Sequence, residues 1–348
     1  MTPEVGKRRG SLLIRLIGLL VSCGALWIVI HSVDLAACAT VLSHSNPVPL
    51  VACLAVIATQ VVLRSIRWRL LLPPMPGGGQ PQLMRIIPVL LVGYLGNAVL
   101  PARLGEPIRA YLVAQREKLD AVEAFGSVVL ERVVDTATLA VIACVAAVTV
   151  NAPSWIVQAT AVAAIIGIAV TAALVVVGPG RLVGLTRRIV ARSPVAARSE
   201  PILKRLDDFA RGIERPSRSG AVVVAAFISA ACWGFDATTF WLVAQSIGSP
   251  ISPAAALLIG AVSVLGTALP SAPGYVGTFD LAAATTAQAL GVAAAPALAL
   301  AVLAHAITVL PTASAGAISL VAMNARLGRL AVDAAAERAA LDNAGMEP

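Results

Sequence analysis

Apolar runs of membrane-crossing length alternate with short polar connections along nearly the whole chain. Six of them, at about 12–30, 48–66, 121–150, 154–177, 220–247 and 295–323, reach or exceed the roughly 20 residues a helix needs to cross a hydrocarbon core about 30 Å thick. Two more, 86–100 and 254–269, begin the same way and stop early in clusters of Pro and Gly. The first break reads "GNAVLPARLGEPIRAYLV" from Gly96, and the second reads "TALPSAPGYVG" from Thr267. Proline removes a backbone donor and disfavours helix in the residue before it, so both runs are expected to end as helices at these points.

Charge turns this pattern into a topology. The 26 Lys and Arg residues cluster at 7–15, 64–85, 103–118, 181–218 and 326–338, with Arg132 inside a span, while the connections 31–47, 151–153 and 248–253 hold none. If the basic clusters are cytoplasmic, both termini lie inside and the chain crosses six times. The two broken runs must then return to the side they entered from, as re-entrant hairpins at about 86–114 and 254–292. Three spans separate them, so they open to opposite sides. Each tip carries Leu-Pro with a glycine four positions beyond the proline. The expected fold is an all-α integral membrane protein of about six transmembrane helices and two oppositely oriented re-entrant hairpins, an inverted-repeat arrangement in which broken helices meet near the midplane around a substrate site.

Composition agrees. Of 348 residues 58 % are hydrophobic and 13 % charged, about half the ~25 % of a soluble domain, and mean hydropathy is +0.88. One membrane domain is expected over 1–323, with a cytoplasmic tail at 324–348. The basic start has the flank of a signal peptide, but its apolar run exceeds the usual length of such a region, so an uncleaved first span is expected. The longest polar connection contains "EPILKRLDDFARGIER", with Ile202, Leu206, Phe209 and Ile213 at helical spacing. It reads as a basic amphipathic helix at about 199–215 on the inner leaflet. The five cysteines show no metal-ligand spacing and read as packing residues.

The candidate chemistry lies where polar groups interrupt apolar surroundings. Irregular backbone at membrane depth is tolerated only inside protein or against a wet cavity. Asn97, Pro101, Arg103, Gly105, Glu106 and Arg109 shape the first tip. Guanidinium groups grip phosphate through paired hydrogen bonds, so Arg103 and Arg109 are a candidate phosphate receptor, with Glu106 their partner when it is empty. The alternative is that these residues only pair with one another at the cytoplasmic mouth. Glu131, Arg132 and Asp135 fall within one span, where a charged group costs ~2.5–3.5 kcal/mol even on insertion scales. They form either a polar substrate path or an ion cluster that packs helices. Asp236, Asp280 and His305 suit a proton relay, although His305 also suits a packing role. Pro270, Pro273, Gly274, Tyr275 and Gly277 are expected to shape the second tip as a gate, although glycines that only allow tight backbone packing explain the pattern as well.

"RSIRWRLLL" at 64–72, "GYLGNAVLPARLGEPIRAYLV" at 93–113, "ERVVDTATL" at 131–139 and "LPSAPGYVGTFD" at 269–280 together resemble the lysylphosphatidylglycerol synthase transmembrane family, also called flippase-like membrane proteins. Its members include the lipid-flipping half of the multiple peptide resistance factor and relatives associated with moving hopanoids or polyprenyl-linked glycolipids. The resemblance implies that Asn97, Pro101, Arg103, Gly105 and Glu106 form the first-hairpin motif, that Glu131, Arg132 and Asp135 form a Glu-Arg-x-x-Asp motif, and that Pro270, Pro273, Gly274 and Gly277 form the second-hairpin motif. The resistance factor also carries an aminoacyl-transferase domain. About 25 residues follow the last span here, so attachment of lysine is not expected.

The expected function is therefore transport of an anionic or polyprenyl-linked lipid across a bacterial-type cytoplasmic membrane. The rivals are an intramembrane lipid phosphatase or transferase and a scaffold for an envelope-lipid synthesis enzyme. There is no nucleotide-binding motif of the Walker type, no metal-ligand cluster and no nucleophile set beside a histidine, so neither enzyme activity nor a cofactor is expected. The expected partners are membrane lipids, and on the protein side a second copy of the chain or an envelope-lipid synthesis enzyme. No nucleic-acid partner is expected.

Overall fold

The computed structural model describes residues 35–100, 103–190, 196–218, 220–268 and 271–343. The expected span at 12–30 and the tip prolines Pro101 and Pro270 lie outside them. Every regular element among the described residues is helical.

A short helix α1 (Leu35–Ser43) leads into α2 (Pro47–Leu71). Asn46 caps α2 by accepting from the Val48 N–H at 2.9 Å, and Pro47 supplies a first-turn residue that has no N–H to satisfy. The helix stops at Leu72, whose extended backbone is what the following proline requires. α3 (Leu83–Val99) and α4 (Gly105–Glu117) flank the first break, and α5 (Ala121–Thr149) follows, its first turn capped by Asp120 through the Val122 and Glu123 N–H groups. α6 (Ser154–Ala172) ends in a π-helical turn at Ala173–Val177. α7 (Pro179–Val190) and α8 (Ala196–Arg218) form the polar connection. α9 (Ala221–Ser246) is followed by α10 (Pro253–Gly266), a 3₁₀ turn at Pro273–Tyr275, α11 (Thr278–Ala289) and α12 (Ala294–Asn343).

Four described helices are long and apolar enough to span a membrane: α2, α6 with its π turn, α9 and Ala294–Met323 of α12. α5 has the length, at 29 residues, but carries the expected charge cluster. The chain is an all-α integral membrane protein. α12 runs past the boundary expected at 323 without a break, so the start of the expected tail continues the last span as helix.

Both broken runs fold back on themselves. α3 has 17 residues and α10 has 14, which at 1.5 Å per residue gives about 26 Å and 21 Å, short of a full crossing. In the first hairpin a Cβ on Gly105 would stand 1.9 Å from the Gly93 carbonyl oxygen, and one on Gly96 would stand 2.8 Å from the Gly105 Cα. The arms approach to backbone contact, which is why this tip holds glycine at both positions.

The halves repeat the same packing. α2 lies along α9, the first arm α3 packs on α12, and the first arm α10 packs on α5. Each second arm packs on the span that follows it, α4 on α5 and α11 on α12. Exchanging the helices of one half for those of the other preserves these pairings. α2 and α9 run antiparallel, as their cross-bonds show: Asn46 N–H to the Ser246 carbonyl at 2.7 Å, Gln60 Nε2 to the Cys232 carbonyl at 3.1 Å, and Arg67 Nη1 to Ser229 Oγ at 2.7 Å. The repeat is inverted.

The expected amphipathic helix forms as α8, but it is docked on protein and does not merely rest on a leaflet. Leu203, Ala210 and Ile213 are buried, Gly212 crosses Gly126 of α5 at backbone contact, and Arg215 reaches Glu123 at 2.6 Å. Ile202 and Leu206, expected on its apolar face, are exposed.

Gly105→Ala is expected to destabilise the protein by about 1–3 kcal/mol, because the arm cannot move away from Gly93 without opening the hairpin. Gly234→Ala, in α9 with open space around the added methyl group, is expected to be neutral or to stabilise by a few tenths of a kcal/mol. Thermal unfolding of the two variants in one detergent checks both.

Candidate functional site

The site begins with a cation where lipid would make one most costly. Arg67, 1 % exposed, projects from the last turn but one of α2 into the interior. Its guanidinium takes Asp135 and Ser229 on Nη1 and Glu131, at 2.7 Å, on Nη2. Glu131 and Asp135 are one turn apart on α5, so a single fork bridges both carboxylates and joins α2, α5 and α9.

Arg109 of α4 extends the network. Its Nη2 lies 2.6 Å from Glu106 Oε2 and 2.8 Å from Glu131 Oε2, and its guanidinium rests over the Trp68 ring at 4.6 Å. Arg132 stands 3.0 Å from Glu131, 3.7 Å from Asp135 and 3.8 Å from Glu106. Arg64 of α2 pairs with Asp236 of α9 at 2.8 Å and lies over Trp233. Four guanidinium groups thus face four carboxylates, and charges that would be prohibitive singly become a neutral cluster.

Beside this cluster lies a cavity of about 250 Å³, walled by both halves. Arg64, Glu106, Arg132, Asp135 and Asp236 line one side, and the second-hairpin residues Thr267, Gly274 and Tyr275 with His305 line the other. Arg103 enters it from the first tip. Its Nη2 donates to the Thr267 carbonyl at 2.9 Å and to Thr267 Oγ1 at 2.7 Å, and its guanidinium lies 5.3 Å from the centre of the Tyr275 ring. Thr267 ends α10, so a cation from one hairpin caps the carbonyl end of the other. Among the described residues Arg103 is the lining arginine with no carboxylate in ion-pair range.

The second tip is held from behind. His305 Nδ1 lies 2.9 Å from Asp280 Oδ1, and its Nε2 lies 2.7 Å from the Gly274 carbonyl oxygen. Asp280 Oδ2 accepts from the Gly277 N–H at 3.0 Å. Gly274 (φ 70°) and Gly277 (φ 90°) take backbone conformations that suit glycine, and Tyr275 (φ 61°) is held in the same region.

Several expectations are sharpened or corrected. Glu106, Arg109, Glu131, Arg132 and Asp135 do assemble, across two helices. Asn97 serves the hairpin itself, accepting the Gly105 N–H at 2.9 Å. Arg103 has its hydrogen-bond partner on the opposite hairpin, while Arg109 is paired with Glu106 and Glu131. Asp236 does not join Asp280 and His305 in a chain, because Arg64 holds it. Pro273 opens the 3₁₀ turn, while Pro101 and Pro270 fall outside the described residues. Charge clustering groups Arg64 and Arg67 with a cytoplasmic connection, whereas both lie inside α2 within the network. Gln60, Arg64, Arg67 and Trp68 fall at i, i+4, i+7 and i+8, a polar stripe on one helical face that the sequence already displays.

The family described as the lysylphosphatidylglycerol synthase transmembrane region matches residues 15–316. The chain belongs to that family. Its relatives include the glycosyltransferase AglD of Haloferax volcanii, 29 % identical over 92 % of this chain and 56 % of the relative, so the chain spans little more than half of that protein's length. A UPF0104 membrane protein of Methanothermobacter thermautotrophicus is 26 % identical over 62 % of this chain and 67 % of its own. Another, of Methanocaldococcus jannaschii, is 25 % identical over 69 % and 74 %. No solved structure matches. The matched region of the family contains the whole ion network and both hairpins.

Arg67→Leu strands Glu131 and Asp135 without their shared partner and is expected to cost about 3–5 kcal/mol, enough to deplete folded protein. Arg132→Leu, on the more exposed cation, is expected to cost less. Yield of monodisperse protein and its thermal midpoint in detergent rank the two, and equal behaviour of Arg67→Leu and wild type would contradict the network's role.

Proposed function

We propose that this protein carries the anionic headgroup of a lipid across the membrane through the cavity between its hairpins, while the acyl chains stay in the bilayer. The observation that carries the reading is Arg103. It is a cation in the cavity wall, bonded among the described residues to neutral groups alone, at the meeting point of two half-crossing helices. A phosphate offers it stronger, charge-assisted bonds than a threonine does. The neighbouring cluster is already neutral and supplies a polar lining that a headgroup can pass without entering hydrocarbon. The cavity, at about 250 Å³, suits a headgroup and not a whole lipid. Membership in a lipid-related family and likeness to a relative named as a glycosyltransferase both favour lipid or glycan-carrier metabolism or transport. The basic loops favour the cytoplasmic membrane with both termini inside.

Vesicles containing purified protein and fluorescent phosphatidylglycerol test this. Wild type is expected to expose inner-leaflet lipid to a membrane-impermeant quencher. Arg103→Ala is expected to slow exchange about tenfold or more, the equivalent of one lost charge-assisted bond of about 1.5–3 kcal/mol. Exchange at the wild-type rate in Arg103→Ala, or formation of a new lipid product without exchange, would overturn the reading.

A further inference from the structure

We propose that His305 and Asp280 form a binding site for one proton, and that this proton latches the tip of the second hairpin. The inference rests on the transport reading for its consequence, but the site itself stands on hydrogen-bond geometry.

His305 faces an acceptor on each side. Its Nε2 meets the Gly274 carbonyl oxygen at 2.7 Å, and its Nδ1 meets a carboxylate oxygen of Asp280 at 2.9 Å. A carbonyl oxygen can only accept, so Nε2 carries a hydrogen. A neutral ring would then turn the lone pair of Nδ1 toward a carboxylate that also has only lone pairs to offer. Both contacts hold together only when the pair carries one proton beyond a neutral imidazole and an ionised carboxylate. Imidazole is ordinarily the more basic of the two partners, so that proton is placed on the ring, which donates from both nitrogens, and not on the carboxyl. When the proton leaves, it passes from the ring to water in the cavity that His305 lines, and one of the two contacts must break.

The neighbouring charges leave this pair as the labile one. Tyr275 of the turn and Arg103 of the first hairpin face it, and α3 contributes Tyr94 to the same cavity. Across that cavity stand Asp236 with Arg64, and Glu106 and Asp135 with Arg132. Each of those carboxylates has a guanidinium partner. α10, packed against α11, carries no titratable residue, and His44 of α1 bonds locally to the Thr40 carbonyl.

The contact that is lost matters to the other hairpin. A Cβ on Gly274 would stand 3.3 Å from the Ala98 carbonyl oxygen of the first tip, and the next residue, Tyr275, lies against the Arg103 guanidinium. Fixing the Gly274 carbonyl therefore fixes Tyr275 on Arg103. Releasing it loosens the ring on that cation, whose remaining hold is the pair of hydrogen bonds to Thr267 that a phosphate must displace. Proton release and headgroup capture become linked steps.

Two measurements on the full chain test this. In lipid nanodiscs, nitrogen NMR of protein labelled at its three histidines, assigned with His305→Gln, is expected to show both His305 nitrogens protonated at about pH 6 and to lose that signature in Asp280→Asn. In vesicles with fluorescent phosphatidylglycerol, wild-type exchange is expected to rise about threefold or more from about pH 6 to about pH 8, and His305→Gln is expected to be flat. A His305 ring that stays neutral in one tautomer at both pH values overturns the proposal, as does an equal pH response in wild type and His305→Gln. Doubly protonated His305 in a protein that exchanges no lipid at either pH supports the proton site and overturns the transport reading instead.

Discussion

Arg67 sits almost fully inside a membrane protein with Glu131 on one side and Asp135 on the other, and the rest of the molecule is arranged so that this is tolerable. An isolated ion there would face a desolvation cost of several kcal/mol. The cost is met by bringing α2, α5 and α9 together at one depth, so that a carboxylate is present for each guanidinium. Arg109 then ties the second arm of the first hairpin to Glu131. The hairpin can stop halfway because its second arm is paired with charges on a neighbouring span. This supplies the protein-side partners that broken backbone needs in place of lipid.

The second half solves the same problem with fewer charges. Its second arm is tied to the following span by Asp280 and His305, as α4 is tied to α5 by Arg109 and Glu131. Inverted halves thus share a mechanical plan while differing in chemistry. One anchor is a permanent set of ion pairs, since arginine does not titrate in the accessible range, and the other depends on an imidazole. Where the tips meet, Arg103 and Thr267 join them by hydrogen bonds to neutral oxygens, weaker than the ion pairs behind them. The contact between the halves is the weaker joint, and it is the one an incoming anion would meet under the proposed function.

Much of this was legible in the chain. The spacing of apolar runs and the placement of arginines marked the spans that fall among the described residues, the two breaks and their opposite sense, because proline and charge act locally on helix and topology. Glu131, Arg132 and Asp135 stood out because apolar residues surround them. Arg64 and Arg67 did not, because they adjoin a basic connection and a charge count cannot separate a helix interior from its end. Only their phase with Gln60 and Trp68 marks them. The partnership of Arg103 with Thr267, 164 residues away, leaves no trace in local spacing, since it depends on two hairpins meeting in space. α8 showed a similar limit: its apolar residues were evident, but the glycine pair that docks it on α5 was not.

A cavity that takes an anionic headgroup between the tips must be wet and reachable from the membrane surface. Thr136 of α5 lines it and makes a reporter. In protein whose native cysteines are replaced by serine or alanine, Thr136→Cys is expected to react with a charged, membrane-impermeant thiol reagent, and a short-chain phosphatidylglycerol is expected to slow that reaction more than a short-chain phosphatidylcholine. A thiol that stays unreactive from both sides of the membrane, or one that both lipids protect equally, would rule out headgroup entry into this cavity.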